Sequence, residues 1–453
     1  MPDARDSLAP QLLAFFLLIQ AASLGRGFYD DGASLCALAA IPLFVAPVRR
    51  FLARVPHGPL LAALCGYAGW LGYTHVPALI LEPDARAQIR ACQIAAVAVL
   101  AAGAALAGRV RAEVFAVPLV ALALLLRVAA VLSEPRPELD SYVIQNEAAH
   151  RLLLGESPYG AIYTLPFAHE SRGGTRIGGQ TYAFPKYTYL PGTVLAYVPA
   201  AVLGIDYRWT LVALDAGTLA CLFALGRGGP PRRRLSILYL AAMHPVAPSV
   251  FRRGWNEPLA LFSLAVLVLA LRRRPALAAI PAGLAFTLKQ YLPPMAILVL
   301  PALGRRRAAW ALLLAAAISV PMIAMDPGGF WSDTVLDLVR IPPRTDSVSL
   351  YALAFHELGI RLPAIVLTSL TLAAIGTLGW PIRTAQEAPR RLGLYLTSFF
   401  FVNKQAFGNY YWLCACLTLL DASSDDALHE PAGDKPPPYE PKPAIPSSRL
   451  PGR

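Results

Sequence analysis

Asp140 stands just beyond a long apolar stretch that ends at Leu132, in the run Glu138-Leu139-Asp140-Ser141-Tyr142. A carboxylate there has lipid on one side and water on the other, so it is placed to take a proton from a hydroxyl while a second reactant stays lipid-borne. If a helix begins near Ser141, Asp140 and Glu147 share about one face. The competing reading is a solvated helix cap, a position aspartate favours.

Positive charge is the second signal. Of 40 basic residues only five are lysine, and Lys186, Lys289 and Lys404 fall where positive charge is otherwise scarce. Two sit in apolar surroundings, in Leu288-Lys289-Gln290-Tyr291 and in Asn403-Lys404-Gln405-Ala406-Phe407-Gly408-Asn409-Tyr410-Tyr411-Trp412. An ammonium in a membrane segment is costly unless it faces a cavity or an anion, and a lipid phosphate suits it as a compact point charge. Snorkelling toward headgroups is the alternative. Arg252 and Arg253, in Phe251-Arg252-Arg253-Gly254-Trp255-Asn256-Glu257-Pro258, break the arginine pattern of the rest of the chain; phosphate binding or anchoring to acidic headgroups explains that. Glu257, Gln290 and Asn409 are the polar neighbours of these cations and join them as candidate substrate-binding residues.

Aromatic residues crowd the same side. Tyr142, Tyr159, Tyr163, Tyr182, Tyr187, Tyr189 and Tyr197 occur with Phe167, Phe184, Pro185 and Pro191. Such residues belong either to an interfacial belt or to a platform for a sugar ring or prenyl chain. Tyr142, Tyr159, Tyr187 and Tyr189 are taken as substrate-contacting. His150, His169, His244 and His356 lack metal-ligand spacing, and the six cysteines all lie in apolar stretches, so no metal or cofactor is expected.

The elements that must position these groups are membrane helices. Apolar residues form 56% of the 453-residue chain and charged residues 15%, which predicts an all-α polytopic membrane protein. Apolar segments run at about 10–24, 33–48, 59–81, 91–107 and 113–132, then from 207 through 325 and 361 through 421, giving about 13–15 transmembrane or re-entrant helices. The first segment follows a net acidic leader and reads as a retained helix. Arg49-Arg50, Arg109 with Arg111, Arg232 to Arg234, Arg272 to Arg274 and Arg305 to Arg307 mark the cytoplasmic side. Loop 133–189, bearing short helices, then faces outward. Residues 190–204 read as re-entrant or interfacial, and the stretch between the triplets at 272 and 305 as a tight hairpin with its tip near Lys289.

Three parts follow: N-terminal helices over 1–112, a chemistry-bearing region over 113–421, and a disordered proline-rich cytoplasmic tail over 422–453. The net charge of +12 is a topology signal, since the arginines cluster at span ends without interleaved aromatics, and no nucleic-acid partner is expected.

Together, the acidic residue after an outward-directed helix, Leu153-Leu154-Gly155-Glu156-Ser157-Pro158-Tyr159, Tyr187-Thr188-Tyr189-Leu190-Pro191, and a turn before an apolar run with a membrane lysine resemble the GT-C glycosyltransferases. The closest likeness is to glycosyltransferase family 87, the polyprenyl-phosphate-mannose-dependent mannosyltransferases, over about 134–412. That resemblance implies a GT-C-like bundle in the cell membrane with its active site facing outward. It implies inverting transfer of a hexose or pentose from a polyprenyl-phosphate sugar to a glycan or glycolipid acceptor, with Asp140 as the base. A transporter or flippase of lipid-linked sugars could use the same tyrosines and cations, but would be expected to show inverted repeats and charged residues near mid-membrane; no repeat is visible, and the acidic residues concentrate outside the spans.

Overall fold

In a computed structural model of the chain, the described residues are 8–52, 54–74, 83–165, 175–177, 180–182, 186–378 and 381–424. Phe167, His169, Phe184, Pro185 and the tail from 425 onward lie outside them. Apart from one hairpin pairing Thr175–Ile177 with Gln180–Tyr182, the described elements are helical, as expected of an all-α membrane protein. Five helices are long and apolar enough to cross a bilayer: Ala9–Gly27, Arg86–Ala105, Ala112–Leu132, Arg208–Leu225 and Arg305–Met325. A sixth candidate is the pair Asp31–Phe44 and Ala46–Leu52, bent by 91°.

Other apolar stretches are broken into shorter pieces. Pro191–Val202 has 12 residues, about 18 Å at 1.5 Å per residue, well short of the hydrocarbon thickness. The stretch between the 272 and 305 triplets divides into Ala279–Ala285 and Ala296–Leu303, with Lys289 in the non-helical break between them.

The N-terminal helix Ala9–Ser23 is largely buried and lies against Gly408–Ser424. Gly408 permits that approach, because a Cβ there would sit 2.6 Å from the Ala22 carbonyl oxygen. The N-terminal block therefore reaches the centre of the bundle, and Tyr29 N–H donates to the Asp346 carbonyl at 2.9 Å.

The bundle has two chemically different ends. Arg49 pairs with Asp421 at 2.9 Å, Arg233 donates to the Ala422 carbonyl at 2.8 Å, and Arg234 meets Glu113 at 3.5 Å. Asp421 lies about 18 Å along its helix from Asn409. Glu113 likewise opens the helix that ends at Leu132, shortly before Asp140. The arginine clusters thus occupy the end opposite Asp140 and Asn409.

Between the ends the interior holds a charged pair that the sequence reading did not single out. Arg127 Nε donates to Asp215 Oδ2 at 3.0 Å, and its remaining nitrogens reach the carbonyls of Ala242 at 2.5 Å and Ala241 at 3.3 Å. Neither residue is more than 3% exposed, so each charge depends on the other. Arg127→Leu is expected to destabilise the protein by about 3–5 kcal/mol, the scale for an orphaned buried charge. Arg127→Met combined with Asp215→Leu should recover most of that loss. Thermal unfolding in detergent measures both; equal losses in the single and double variants would show that the pair is not what holds these helices.

Candidate functional site

At the end opposite the arginine clusters lies a cavity of about 770 Å³. Its carboxylates are Glu134, Glu138, Asp140 and Asp346, its cations Arg252, Arg253, Lys289 and Arg344, and much of its wall is aromatic, including Tyr189, Tyr291, Phe400 and Tyr410.

Asp140 is the first residue of the helix Asp140–Leu153. Its Oδ1 accepts the Ser141 N–H at 2.6 Å, which orients the carboxylate and follows the ordinary logic of acids at helix starts. Burial pushes its pKa up from the ordinary 3.8, against the opposing effects of the Ser141 N–H and the Arg344 charge.

Arg208 secures the approach to this helix. Its guanidinium is 1% exposed and donates to Asp206 Oδ2 at 2.8 Å, to the Glu134 and Arg252 carbonyls at 2.8 and 2.6 Å, and to the Pro135 carbonyl at 3.1 Å. One side chain so joins the segment ahead of Asp140 to the turn bearing Arg252 and Arg253. That turn forms at Gly254, in the left-handed region at φ 70°, where a Cβ would lie 2.5 Å from the Tyr207 hydroxyl.

The cations differ in how far they are already matched. Arg252 meets Glu134 at 3.1 Å. Arg344 forms a two-pronged pair with Asp346 at 2.8 and 2.6 Å and lies over the Phe407 ring at 4.5 Å. Lys289 is bonded to Glu257, whose other oxygen accepts from Asn409 Nδ2 at 2.7 Å. Glu257 is fully buried and does not line the cavity; its placement makes it the counter-ion of Lys289. Arg253 lies 5.3 Å from the Trp255 ring and forms no ion pair among the described residues, so it retains the most unspent positive charge.

Lys404 is not among the cavity residues either. Its ammonium donates to the carbonyls of Leu338, Val339 and Ile341, closing the C-terminal end of the short helix Asp337–Arg340. The apolar context shared with Lys289 concealed this difference, because sequence spacing does not show which carbonyls lie within reach.

Of the four tyrosines singled out, only Tyr189 reaches the cavity. Tyr142 donates to Asp206 at 3.1 Å, and Tyr159 donates to the Tyr189 carbonyl at 3.0 Å. Tyr187 is fully buried, with its ring 5.5 Å from Tyr159 and 5.7 Å from Tyr189. The rings of Tyr159 and Tyr187 pack in a layer that supports Tyr189, while Tyr142 lies against Tyr207, ring centroids 5.8 Å apart. Gln290 and Asn409 do line the cavity. Gln290 is held by the Thr188 carbonyl, and Gly192 N–H donates to the Thr287 carbonyl at 2.8 Å, so the start of Pro191–Val202 buttresses the break that presents Lys289.

Arg344 is the principal residue missed. Like Arg252 and Arg253 it stands apart from the arginine clusters taken to mark the cytoplasmic side, so the same argument from misplaced positive charge applied to it. Compared with known proteins, the chain matches no protein family, no curated protein and no solved structure.

A polar cavity with clustered arginines beside aromatic walls suits an anionic amphiphile. Arg253→Ala is expected to weaken binding of dodecyl phosphate by about tenfold, the loss of one charge-assisted contact. Lys404→Ala should leave that affinity within about twofold, since its donors are spent on backbone carbonyls. Titration in nanodiscs separates the two; the reverse ranking would place the anion at Lys404.

Proposed function

We propose that the protein is a membrane glycosyltransferase that moves a hexose, mannose being the first candidate, or a pentose from a polyprenyl-phosphate sugar to an envelope glycan or glycolipid. The reading places this reaction on the outer face of the cytoplasmic membrane, where a lipid-carried donor is the suitable supply. The observation that carries it is the meeting of Asp140, with its raised pKa, and an incompletely neutralised arginine group in one aromatic-walled cavity.

In this mechanism the acceptor hydroxyl oxygen attacks the anomeric carbon from the face opposite the phosphate, so that configuration inverts. The hydroxyl proton goes to Asp140, a carbon–oxygen bond forms to the acceptor, and the bond to the phosphate oxygen breaks with its electron pair on the phosphate. A lipid phosphate leaves without a proton, so a single carboxylate suffices where a glycosidase needs two. Arg253 and Arg344 stabilise the charge that builds on the leaving phosphate. Glu257 acts at one remove by holding Lys289.

Asp140 must be ionised to accept the proton, and its pKa lies above the ordinary carboxylate value. The rate is therefore expected to fall as pH drops through that raised value and to level off above it. Asp140→Asn should lower transfer of radiolabelled mannose from polyprenyl-phosphate-mannose by about 10²-fold or more with the protein still folded. The acid limb of the pH profile should vanish from the residual activity. Equal transfer by both proteins would remove Asp140 as the base and direct attention to Glu138. Binding of the lipid with transport but no transfer would instead favour a carrier of lipid-linked sugars.

A further inference from the structure

Among the described residues, the buried cavity-lining side-chain atoms without a hydrogen-bond partner include Asn256 Nδ2, Asn409 Oδ1 and the Tyr291 hydroxyl, with the Ser141 hydroxyl beside Asp140. Asn256, Asn409 and Tyr291 are 2%, 5% and 6% exposed, so bulk water does not readily complete them. Buried polar groups are normally satisfied, and several unsatisfied ones gathered on residues that line one cavity point to a ligand.

The chemistry of the atoms on these three residues restricts that ligand. Asn409 Nδ2 is committed to the Glu257 carboxylate at 2.7 Å, which accepts only, so the free atom is a carbonyl-type acceptor. Asn256 Oδ1 takes the Tyr197 hydroxyl at 2.7 Å and leaves an N–H donor. Tyr291 adds a hydroxyl that both gives and accepts. An ionised phosphate cannot supply the proton that Asn409 Oδ1 needs; a ligand hydroxyl can supply it and also accept from Asn256.

The surroundings match that requirement. Lys289, near this corner, has its charge answered by Glu257, and the rings of Tyr189, Tyr291 and Tyr410 lie 5.4–5.6 Å from its ammonium. A charge-balanced corner with aromatic faces and mixed donors and acceptors is suited to a neutral ring bearing several hydroxyls. An anion is better served by Arg253.

We propose that Asn256, Asn409 and Tyr291 form the subsite that holds the sugar ring of the donor and reads its hydroxyl pattern. This rests on the glycosyltransferase reading above and adds to it where the sugar binds and which side chains discriminate among sugars. The lipid phosphate then belongs to the arginines, and the two recognition tasks are separable by mutation.

Tyr291→Phe is the cleanest probe, because the deleted hydroxyl has no hydrogen-bond partner among the described residues. The Tyr291 carbonyl that accepts from the Tyr395 hydroxyl at 3.1 Å is untouched. Asn256→Ala is the second variant, and thermal unfolding verifies that each is folded. The full chain in nanodiscs is titrated with farnesyl phosphate and with its mannose, glucose, galactose and arabinose esters. At least one sugar ester should bind about tenfold more tightly than farnesyl phosphate, and Tyr291→Phe should cut that advantage to about threefold or less with farnesyl phosphate affinity unchanged.

Retention of the full advantage in both variants overturns the subsite while leaving the donor class standing. Equal binding of all esters and farnesyl phosphate by the unmodified chain also overturns it, again without touching lipid-phosphate recognition. Failure to bind even farnesyl phosphate overturns the donor reading itself, and the subsite with it.

Discussion

The site depends first on the Arg208 guanidinium. Five N–H donors in a rigid fork are an expensive group to bury, and this one is accommodated because backbone carbonyls and a carboxylate converge on it. The carbonyls of Glu134 and Pro135 come from the segment leading to Asp140, and that of Arg252 from the cationic turn. A residue at the start of one apolar helix therefore fixes the spacing between the proposed base and the proposed phosphate ligands. Its cation–π contact with Tyr142, at 4.9 Å, brings that tyrosine into the same clasp.

Around that clasp, charge is matched unevenly, and the unevenness gives the cavity its polarity. Lys289 with Glu257, and Arg252 with Glu134, are locally neutral. Arg344 keeps a bidentate partner in Asp346 while its field still reaches Asp140. Arg253 is left without an ion pair among the described residues, and Asp140 with only the Ser141 N–H and the field of Arg344. Desolvation strengthens the interaction of each with an incoming ligand, which is how a modest number of charged groups could do work at a membrane boundary.

The chain also spends charge on architecture at the opposite end. Arg49 with Asp421 ties an early helix, and Arg233 on the Ala422 carbonyl ties the helix Pro231–Ala242, to the last described one. That same last helix begins beside Ala22 and Gly27 at the cavity end. The N-terminal helices are thus bound into the bundle at both of its ends, and Gly27 and Phe28 contribute to the cavity wall itself.

Much of the organisation was legible in the sequence, because apolar runs of bilayer length and clustered arginines follow directly from the cost of placing polar groups in lipid. Asp140 was legible for the same reason, as a carboxylate at a boundary where neither solvent explains it fully. Lys289 was legible as a charge needing a partner. Which partner it takes was decided only by folding: Glu257 is 32 residues away and Asn409 a further 152 from that glutamate. Spacing cannot separate Lys289, which faces the cavity, from Lys404, which caps a helix, since both lie in apolar turns and differ only in the carbonyls nearby. Nor could composition assign Tyr159 and Tyr187 to a supporting layer, Tyr142 to the Arg208 clasp and Tyr189 to the cavity wall. The sequence by itself determined the medium in which the chain folds and the kinds of group it carries. Tertiary structure decided which charges cancel and which remain, because hydrogen bonds and ion pairs act over about 3 Å and only the folded chain brings distant residues that close.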